Sequence, residues 1–345
     1  MNFFFEAGVR VILIFVFLLV TVLLLIWVER KFVSDLQNRV GPDRAGPWGI
    51  LQSLADGLKA FFKESIRPTK SEFLLYAAAP VMALVPALLI FMVVPMGTVT
   101  IAGTEYVLVG ADLNIALLYV LALSSMAVYA ITLAGWSSGS KYPLLGSVRA
   151  SAQMISYEAA MGLALVPVVM FAGSTSLVTI VEGQQGSFGG FLPSWNVVLI
   201  PSFIIFLIAG FAETNRAPFD LVEAESEIVG GYHTEYSGLT FALFFLAEYI
   251  NVFNISALTA VLFLGGWAGP LFGPEWLHNF LPIGYFLLKT WAIVLLFVWV
   301  RATLPRMRYD QLMSFGWKRL IPVSLAWIIV VAVALGVREF GLPWA

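Results

Sequence analysis

Six carboxylates, Glu213, Asp220, Glu223, Glu225, Glu227 and Glu235, fall within the stretch FAETNRAPFDLVEAESEIVGGYHTEYSG, Phe211 to Gly238, and a single cation, Arg216, answers them. The whole chain is only 12% charged. Asp220, Glu223 and Glu227 follow at i, i+3 and i+7, which is one helical face if the segment after Pro218 is a helix. Like charges at that spacing repel, and partial burial disfavours ionisation further, so such a cluster gains or loses a proton at modest cost. The chemistry this suggests is proton transfer. A solvated acidic loop is the ordinary explanation of a charge run, but Phe219, Leu221, Val222, Ile228 and Val229 are interleaved with these acids. Clustered carboxylates also suit hard cations, yet no DxDxDG loop is present, and no metal is expected.

Three further ionisable groups lie inside long apolar runs: Glu158 in SAQMISYEAAMGLAL, Glu248 in ALFFLAEYINVFN and Lys289 in GYFLLKTWAIV. Each costs roughly 2.5 to 3.5 kcal/mol in a membrane span even on a lenient scale, so each needs a partner or water. Glu158 is expected about five residues into its span. Glu248 and Lys289 fall about ten to twelve residues from the same ends of theirs, and that match predicts a Glu248–Lys289 pair, direct or through water. The competing reading gives each its own polar partner.

The elements that must hold these groups follow from composition. Of 345 residues 60% are hydrophobic and mean hydropathy is +0.91, against roughly 45 to 50% apolar residues in a soluble domain. The fold class is an all-α polytopic membrane protein forming one integral membrane domain over 1–345. About 20 apolar residues of helix cross a bilayer, which predicts eight spans at about 8–29, 74–96, 113–135, 153–172, 197–212, 238–262, 281–300 and 320–338. Pro80, Pro86, Pro167 and Pro201 predict kinked helices packed against protein. The N-terminal MNFFFEAGVR runs straight into the first apolar segment without a small-residue cleavage site, and is read as a span rather than a removed signal.

Lys and Arg set the orientation. Arg30 to Lys70 contain eight, Lys141 and Arg149 make two, Arg216 one and Arg301 to Arg319 five, so 16 of the 19 basic residues follow spans 1, 3, 5 and 7. The positive-inside rule puts those segments in the cytoplasm and both termini outside. The cytoplasmic segments are then 30–72, the acidic 213–237 and the basic 301–319. Within the first, GILQSLADGLKAFFKE places Ile50, Leu54, Leu58, Phe61 and Phe62 at helical spacing opposite Gln52, Ser53, Asp56, Lys59 and Lys63. That pattern predicts an amphipathic helix on the membrane surface, serving as an anchor or as the wall of a lipid-accessible cavity.

Redox chemistry has no home in this chain. With no cysteine it cannot ligate an iron–sulfur cluster, and no GxGxxG or P-loop is present. His233 and His278 are too few for a His-based metal site.

Four motifs, ERKFVSDLQNRVGPDRAGPWGILQSLADGLKAFFKE, GWSSGSKYPLLGSVRASAQMISYEAAMGL, ETNRAPFDLVEAESEIVGGYHTEYSG and RATLPRMRYDQLM, resemble the H-subunit family of bacterial respiratory complex I, the counterpart of mitochondrial NADH dehydrogenase subunit 1. The resemblance runs from about Glu29 to the last span. It implies an eight-span subunit of the bacterial inner membrane, joined to hydrophilic quinone-site subunits and to proton-pumping membrane subunits, with ubiquinone or another quinone as substrate. NADH, FMN and iron–sulfur clusters would belong to partner subunits; no nucleic acid is involved. Carried onto this chain, Arg30 and Arg301 would meet the entering quinone, and Ala55, Asp56 and Phe62 would belong to the chamber wall. Carboxylates matching Glu213, Asp220, Glu223, Glu225 and Glu227 would lead from the chamber through Glu158 towards Glu248 and Lys289. Some relatives carry an acid in the third span; NIALLYVLALSSMAVYAITLAGW has none, so that step would fall to water or Tyr129.

Two alternatives stay open on sequence. Membrane subunits of energy-converting hydrogenases share this ancestry without using quinone, and stand-alone ion-coupled transporters also use midplane Glu and Lys. The long motif from Glu29 to Glu64 favours the respiratory reading, and the cytoplasmic loops, rich in Phe, Pro, Trp48 and Trp136, look like docking surfaces.

Overall fold

A computed structural model describes residues 3–101, 104–188, 192–221, 228–270 and 274–340. Helix α1 (Phe3–Leu36) is followed by a 3-10 turn at Pro47–Gly49 and the short α2 (Gln52–Phe62). Then come α3 (Phe73–Phe91), a hairpin pairing Gly97–Ile101 with Thr104–Leu108, α4 (Ala116–Ser137), α5 (Lys141–Ala172) and α6 (Leu177–Gly183). The chain continues through a minimal hairpin of Ser187–Phe188 with Leu192–Pro193 into α7 (Ile200–Glu213), α8 (Gly238–Phe263), α9 (Glu275–His278) and α10 (Leu281–Thr303). It ends in α11 (Tyr309–Phe315), a π turn at Gly316–Leu320 and α12 (Ile321–Phe340).

Among the described residues seven helices are long and apolar enough to cross a membrane, the last being the continuous run Tyr309–Glu339. The run expected to form another span at 197–212 yields only the 14-residue α7, about 21 Å at 1.5 Å per residue. Asn196–Val198 is a 3-10 turn, Leu199 leaves the helical region, and Pro201 starts the helix in its first turn. Two helices are longer than expected. α1 carries Glu29 and Arg30 within its helical length, and α5 begins at Lys141, so Glu158 sits at mid-helix rather than five residues from an end.

α8 is the central column, packing on α3, α10, α2, α1, α6 and α7. Its lining is almost wholly buried from Val252 to Phe263. Close approach is bought by small residues: a side chain in place of Gly210 on α7 would strike Ile255 of α8, and one in place of Gly135 on α4 would strike Ser147 of α5. Outward faces stay apolar, with Ile12 and Leu13 of α1 and Ile329 and Val333 of α12 each at least 61% exposed, the dress of a lipid-facing surface.

The bundle has two ends. At one, Glu72 N–H donates to Ser137, Met307 N–H to Pro218 and Ile66 N–H to the Ser237 hydroxyl, joining the Lys/Arg-bearing loops. At the other, Thr100 N–H donates to Asn279, and Gln184 donates to Val261 while accepting from Asn196 and Gly265. These are called the basic end and the opposite end below.

Candidate functional site

Glu29 and Arg30 are consecutive on α1, so they leave the helix about 100° apart and serve different neighbours. Glu29 turns inward and is 8% exposed. There it accepts a hydrogen bond from Arg301 of α10, and Arg216, from the segment after α7, approaches it to 3.8 Å. Arg30 turns towards α2 and donates to Asp56 at 2.5 Å; Asp56 also accepts from Gln52 at 2.9 Å and lies 3.9 Å from Lys59. Burial works against Asp56 ionising, but the hydrogen bonds from Arg30 and Gln52 and the charges of Arg30 and Lys59 outweigh it and hold its carboxyl below the usual range.

These side chains border a cavity of about 620 Å³ at the basic end, lined by Glu29, Arg30, Ser34, Gln37, Arg39, Tyr249 and Arg301 among others. That volume lies within the ~300–1,000 Å³ of small-molecule sites. The guanidinium groups offer donors to a carbonyl oxygen, and Val33, Val40 and Pro42 supply apolar wall. Arg30 and Arg301, both expected at an entrance, meet here. Ala55 and Phe62 do not line this cavity: Phe62 is 81% exposed and packs edge-on against Phe61. Asp56 reaches it only through Arg30.

A second group of carboxylates lies deeper. Glu158, at mid-α5, accepts hydrogen bonds from Ser124 at 3.1 Å and from Ser125, neighbours on α4. Ser124 also faces Glu213, which ends α7, is half-buried and senses the charge of Glu158. One Glu213 oxygen is buried without a hydrogen-bond partner. Glu213 also lines a small cavity of about 30 Å³ with Thr214, Asn215, Tyr232, Glu248 and Asn251, room for a water. Glu248 accepts from the Tyr232 hydroxyl at 3.1 Å. Glu158 and Glu213 thus share Ser124, and Glu213 and Glu248 border one small cavity.

Arg216 joins the two groups. Its guanidinium carbon stands 4.3 Å above the Tyr249 ring, and it lies within electrostatic reach of Glu29 on the cavity side and Glu248 on the other. Burial alone would drive it towards neutrality; Tyr249, Glu29 and Glu248 outweigh that and raise its pKa above even its ordinary value. One of its nitrogens is buried without a hydrogen bond.

The Glu248–Lys289 pair is not formed. The Lys289 ammonium donates to the carbonyls of Gly266 at 2.9 Å and Ala268 at 2.7 Å, in the turn after α8, and lies 4.6 Å from the Trp195 ring centre. Equal depth misled because α8 and α10 are antiparallel and side chains lean towards the N-terminus of their own helix; Glu248 therefore leans to the basic end and Lys289 to the opposite one. Asp220 is not helical; it meets Arg306 of the basic loop at 3.5 Å. Glu223, Glu225 and Glu227 lie outside the described residues. Tyr129 is 65% exposed and takes no part in the carboxylate group. The polar groups that α4 does supply, Ser124 and Ser125, were overlooked, as were Glu29, Tyr249 and Tyr232; a serine pair in an otherwise apolar span was the one signal available.

The family model described as NADH dehydrogenase matches residues 9–332. The H subunit of NADH-quinone oxidoreductase from Frankia casuarinae is 51% identical over 326 residues, 94% of this chain and 71% of that protein. Its counterpart in Frankia alni is 51% identical over 324 residues, 92% of this chain and 70% of that protein. With the cavity, the paired arginines and the buried carboxylates all carried by the matched region, the chain belongs to the NADH dehydrogenase family, the family of the H subunits of NADH-quinone oxidoreductase.

Proposed function

We propose that this chain is the membrane subunit of a proton-translocating NADH:quinone oxidoreductase that forms the membrane entrance of the quinone chamber and couples quinone reduction to proton movement. On this reading α7 is the eighth crossing, the basic end faces the bacterial cytoplasm, both termini lie outside, and segments 30–72, 213–237 and 301–319 are the cytoplasmic loops. Hydrophilic partner subunits carry NADH, FMN and the iron–sulfur clusters and deliver electrons to the quinone; other membrane subunits carry protons onward. Arg30 and Arg301 orient the quinone head in the cavity, and the α2 surface bearing Ala55, Asp56 and Phe62 borders its path.

The observation that carries the proposal is Arg216, a buried cation that touches the cavity through Glu29 and the carboxylate group through Glu248. Reduction of the quinone to quinol takes two electrons and two protons, so negative charge builds up near Glu29 whenever the electrons arrive ahead of the protons and is removed as the quinol forms. A fixed cation between that site and Glu248 passes the change on as altered proton affinity, with no rigid-body motion required. Protons then exchange among Glu213, Glu158 and Glu248 through the small cavity and the Ser124 and Ser125 hydroxyls. Asp220, and with it Glu223, Glu225 and Glu227, forms the acidic approach to Glu213 from the cytoplasmic side. Lys289 supplies a positive charge at the far end of the same bundle.

Glu213→Gln in the assembled complex tests the coupling step. The expected result is normal assembly with proton pumping and quinone reduction both down about tenfold or more, the size of effect seen when a group acting in proton transfer is removed. Wild-type rates of both would remove Glu213 from the path.

A further inference from the structure

Glu213 and Arg216 are carried by one turn. α7 ends at Glu213, and Asn215 enters the left-handed region at φ 50°. Arg216 N–H donates back to the Phe211 carbonyl at 3.2 Å and Asn215 N–H to that of Ala212 at 3.4 Å. This is the pairing of a Schellman cap, and asparagine is one of the few residues besides glycine that accepts its left-handed position. The chain then bends again, Phe219 N–H returning to the Arg216 carbonyl at 2.9 Å. Arg216 thus stands within a tight loop that runs from Ala212 to Phe219.

A side chain from another helix closes that loop. Gln153 of α5 is wholly buried, and its amide nitrogen donates to the Ala212 carbonyl at 2.8 Å and to the Phe219 carbonyl at 2.7 Å, with the Asn215 side-chain oxygen at 3.4 Å. Carbonyl oxygens only accept, so the amide nitrogen must face them, and both of its hydrogens are engaged. The amide oxygen makes no hydrogen bond among the described residues, so the nitrogen is the working end. One donor to Ala212 would suffice to satisfy the end of α7; Gln153 instead ties together two carbonyls on either side of Arg216. One turn further along the same face of α5, Tyr157 packs its ring against Phe219 at 5.2 Å and donates to the Leu312 carbonyl at 3.0 Å. Neither Gln153 nor Tyr157 lines the two cavities described above.

We propose that Gln153 is a positioning residue for the coupling step: by clamping Ala212 to Phe219 it fixes Arg216 beside Glu29 and the Tyr249 ring and sets the end of α7 that carries Glu213. The inference rests on the coupling reading above and extends it to a side chain that contacts neither the quinone cavity nor a carboxylate. A displaced loop moves the guanidinium relative to all its partners at once, and a Coulomb interaction weakens in inverse proportion to distance. Without the clamp the turn keeps its own backbone cap, so the fold survives while the charge of Arg216 is no longer held in one place.

The test uses the whole complex in liposomes, assayed with quinone and with ferricyanide, which takes electrons ahead of the quinone site. Gln153→Met keeps an unbranched side chain of similar length and removes both donors; Gln153→Asn keeps the amide but is one methylene too short to join both carbonyls. Per assembled complex, each should keep ferricyanide turnover and hold quinone KM within about twofold, while protons pumped per quinone reduced fall about twofold or more. The Glu213 carboxyl band in quinone-minus-quinol difference infrared spectra, identified by its loss in Glu213→Gln, should shift. A side chain that only held the fold would lower the yield of complex and leave the pumping ratio of what assembles unchanged. A wild-type ratio with an unmoved band therefore overturns the clamp, and so does loss of assembly in both variants, which assigns Gln153 to the fold. Arg216→Lys and Glu213→Gln separate this from failure of the underlying reading: wild-type pumping in those two removes the coupling path itself, whereas impaired pumping there with a wild-type ratio in the Gln153 variants removes the clamp alone.

Discussion

Arg216 approaches to 3.8 Å the same Glu29 oxygen, Oε1, that Arg301 binds, so one α1 carboxylate is held by cations from two different parts of the chain. Arg301 is about one-third exposed and Arg216 only 9%. The two cations are therefore not equivalent. Arg301 belongs to the cavity rim, while Arg216 is committed to the interior and lies over Tyr249.

Removing Arg216 takes a positive charge away from Glu29 and Glu248 and a cation from the face of the Tyr249 ring. Breaking a buried pair by deleting one member costs about 3 to 5 kcal/mol, reduced here because Glu29 keeps Arg301. Arg216→Met is expected to lower the yield of assembled complex severalfold, measured by native gel and by thermal denaturation in detergent. Arg216→Lys keeps the charge but not the planar stack on Tyr249; it should assemble normally and show a lower ratio of protons pumped to quinone reduced.

The α4 serines carry a second expectation. A hydrogen bond to a charged group contributes about 1.5 to 3 kcal/mol, and Glu158 receives two from adjacent hydroxyls. Ser124→Ala with Ser125→Ala should leave assembly intact, shift the Glu158 carboxyl band in difference infrared spectra, and slow pumping about tenfold or more. Either single variant should do less than half of this in free energy, because the remaining serine keeps its bond to the same Glu158 oxygen. An unshifted band in the double variant would show that Glu158 has other donors.

Lys289 and Glu248 should behave as independent sites. Lys289→Met removes two charge-assisted hydrogen bonds from the turn after α8, each of about 1.5 to 3 kcal/mol. Faster hydrogen exchange at 264–270 is expected, while the infrared signature of Glu248 stays in place. A shifted Glu248 band would restore the pairing that depth alone suggested.

Hydropathy and the placement of Lys and Arg located nearly every long helix, because burial of apolar helix in lipid follows composition. Glu158, Glu213 and Glu248 stood out because a charge in such a run demands a reason. The partners did not stand out: Ser124, Ser125 and Tyr232 are ordinary residue types, and Glu29 looked like a span end until α1 continued past it to Leu36. Residue counting also gives depth without direction, which is why Lys289 was paired with the wrong neighbour. The shortness of α7 turned on Leu199 and Pro201, local backbone geometry that the apolar run over 197–212 does not reveal.

Asp56 gives a pH prediction with a definite sign. Its folded-state pKa is lowered by Arg30, Gln52 and Lys59 against the burial that opposes ionisation. A depressed carboxylate pKa contributes binding and stability in full above the ordinary value of about 3.9 and loses it as pH falls through the lowered one. The α1–α2 tie is therefore complete across about pH 5 to 8, and quinone KM should show no inflection from Asp56 in that range. In Arg30→Gln the tie is absent at every pH, because the remaining partners of Asp56, Gln52 and Lys59, lie on α2 itself. Hydrogen exchange of the α2 amides, followed from neutral pH down to about pH 4, where a free carboxylate is half protonated, reads this directly: wild-type protection should hold throughout, whereas the variant should be less protected already at neutral pH and change little on acidification. Identical profiles would mean that α2 is held by its packing on α8 and not by the Arg30–Asp56 pair.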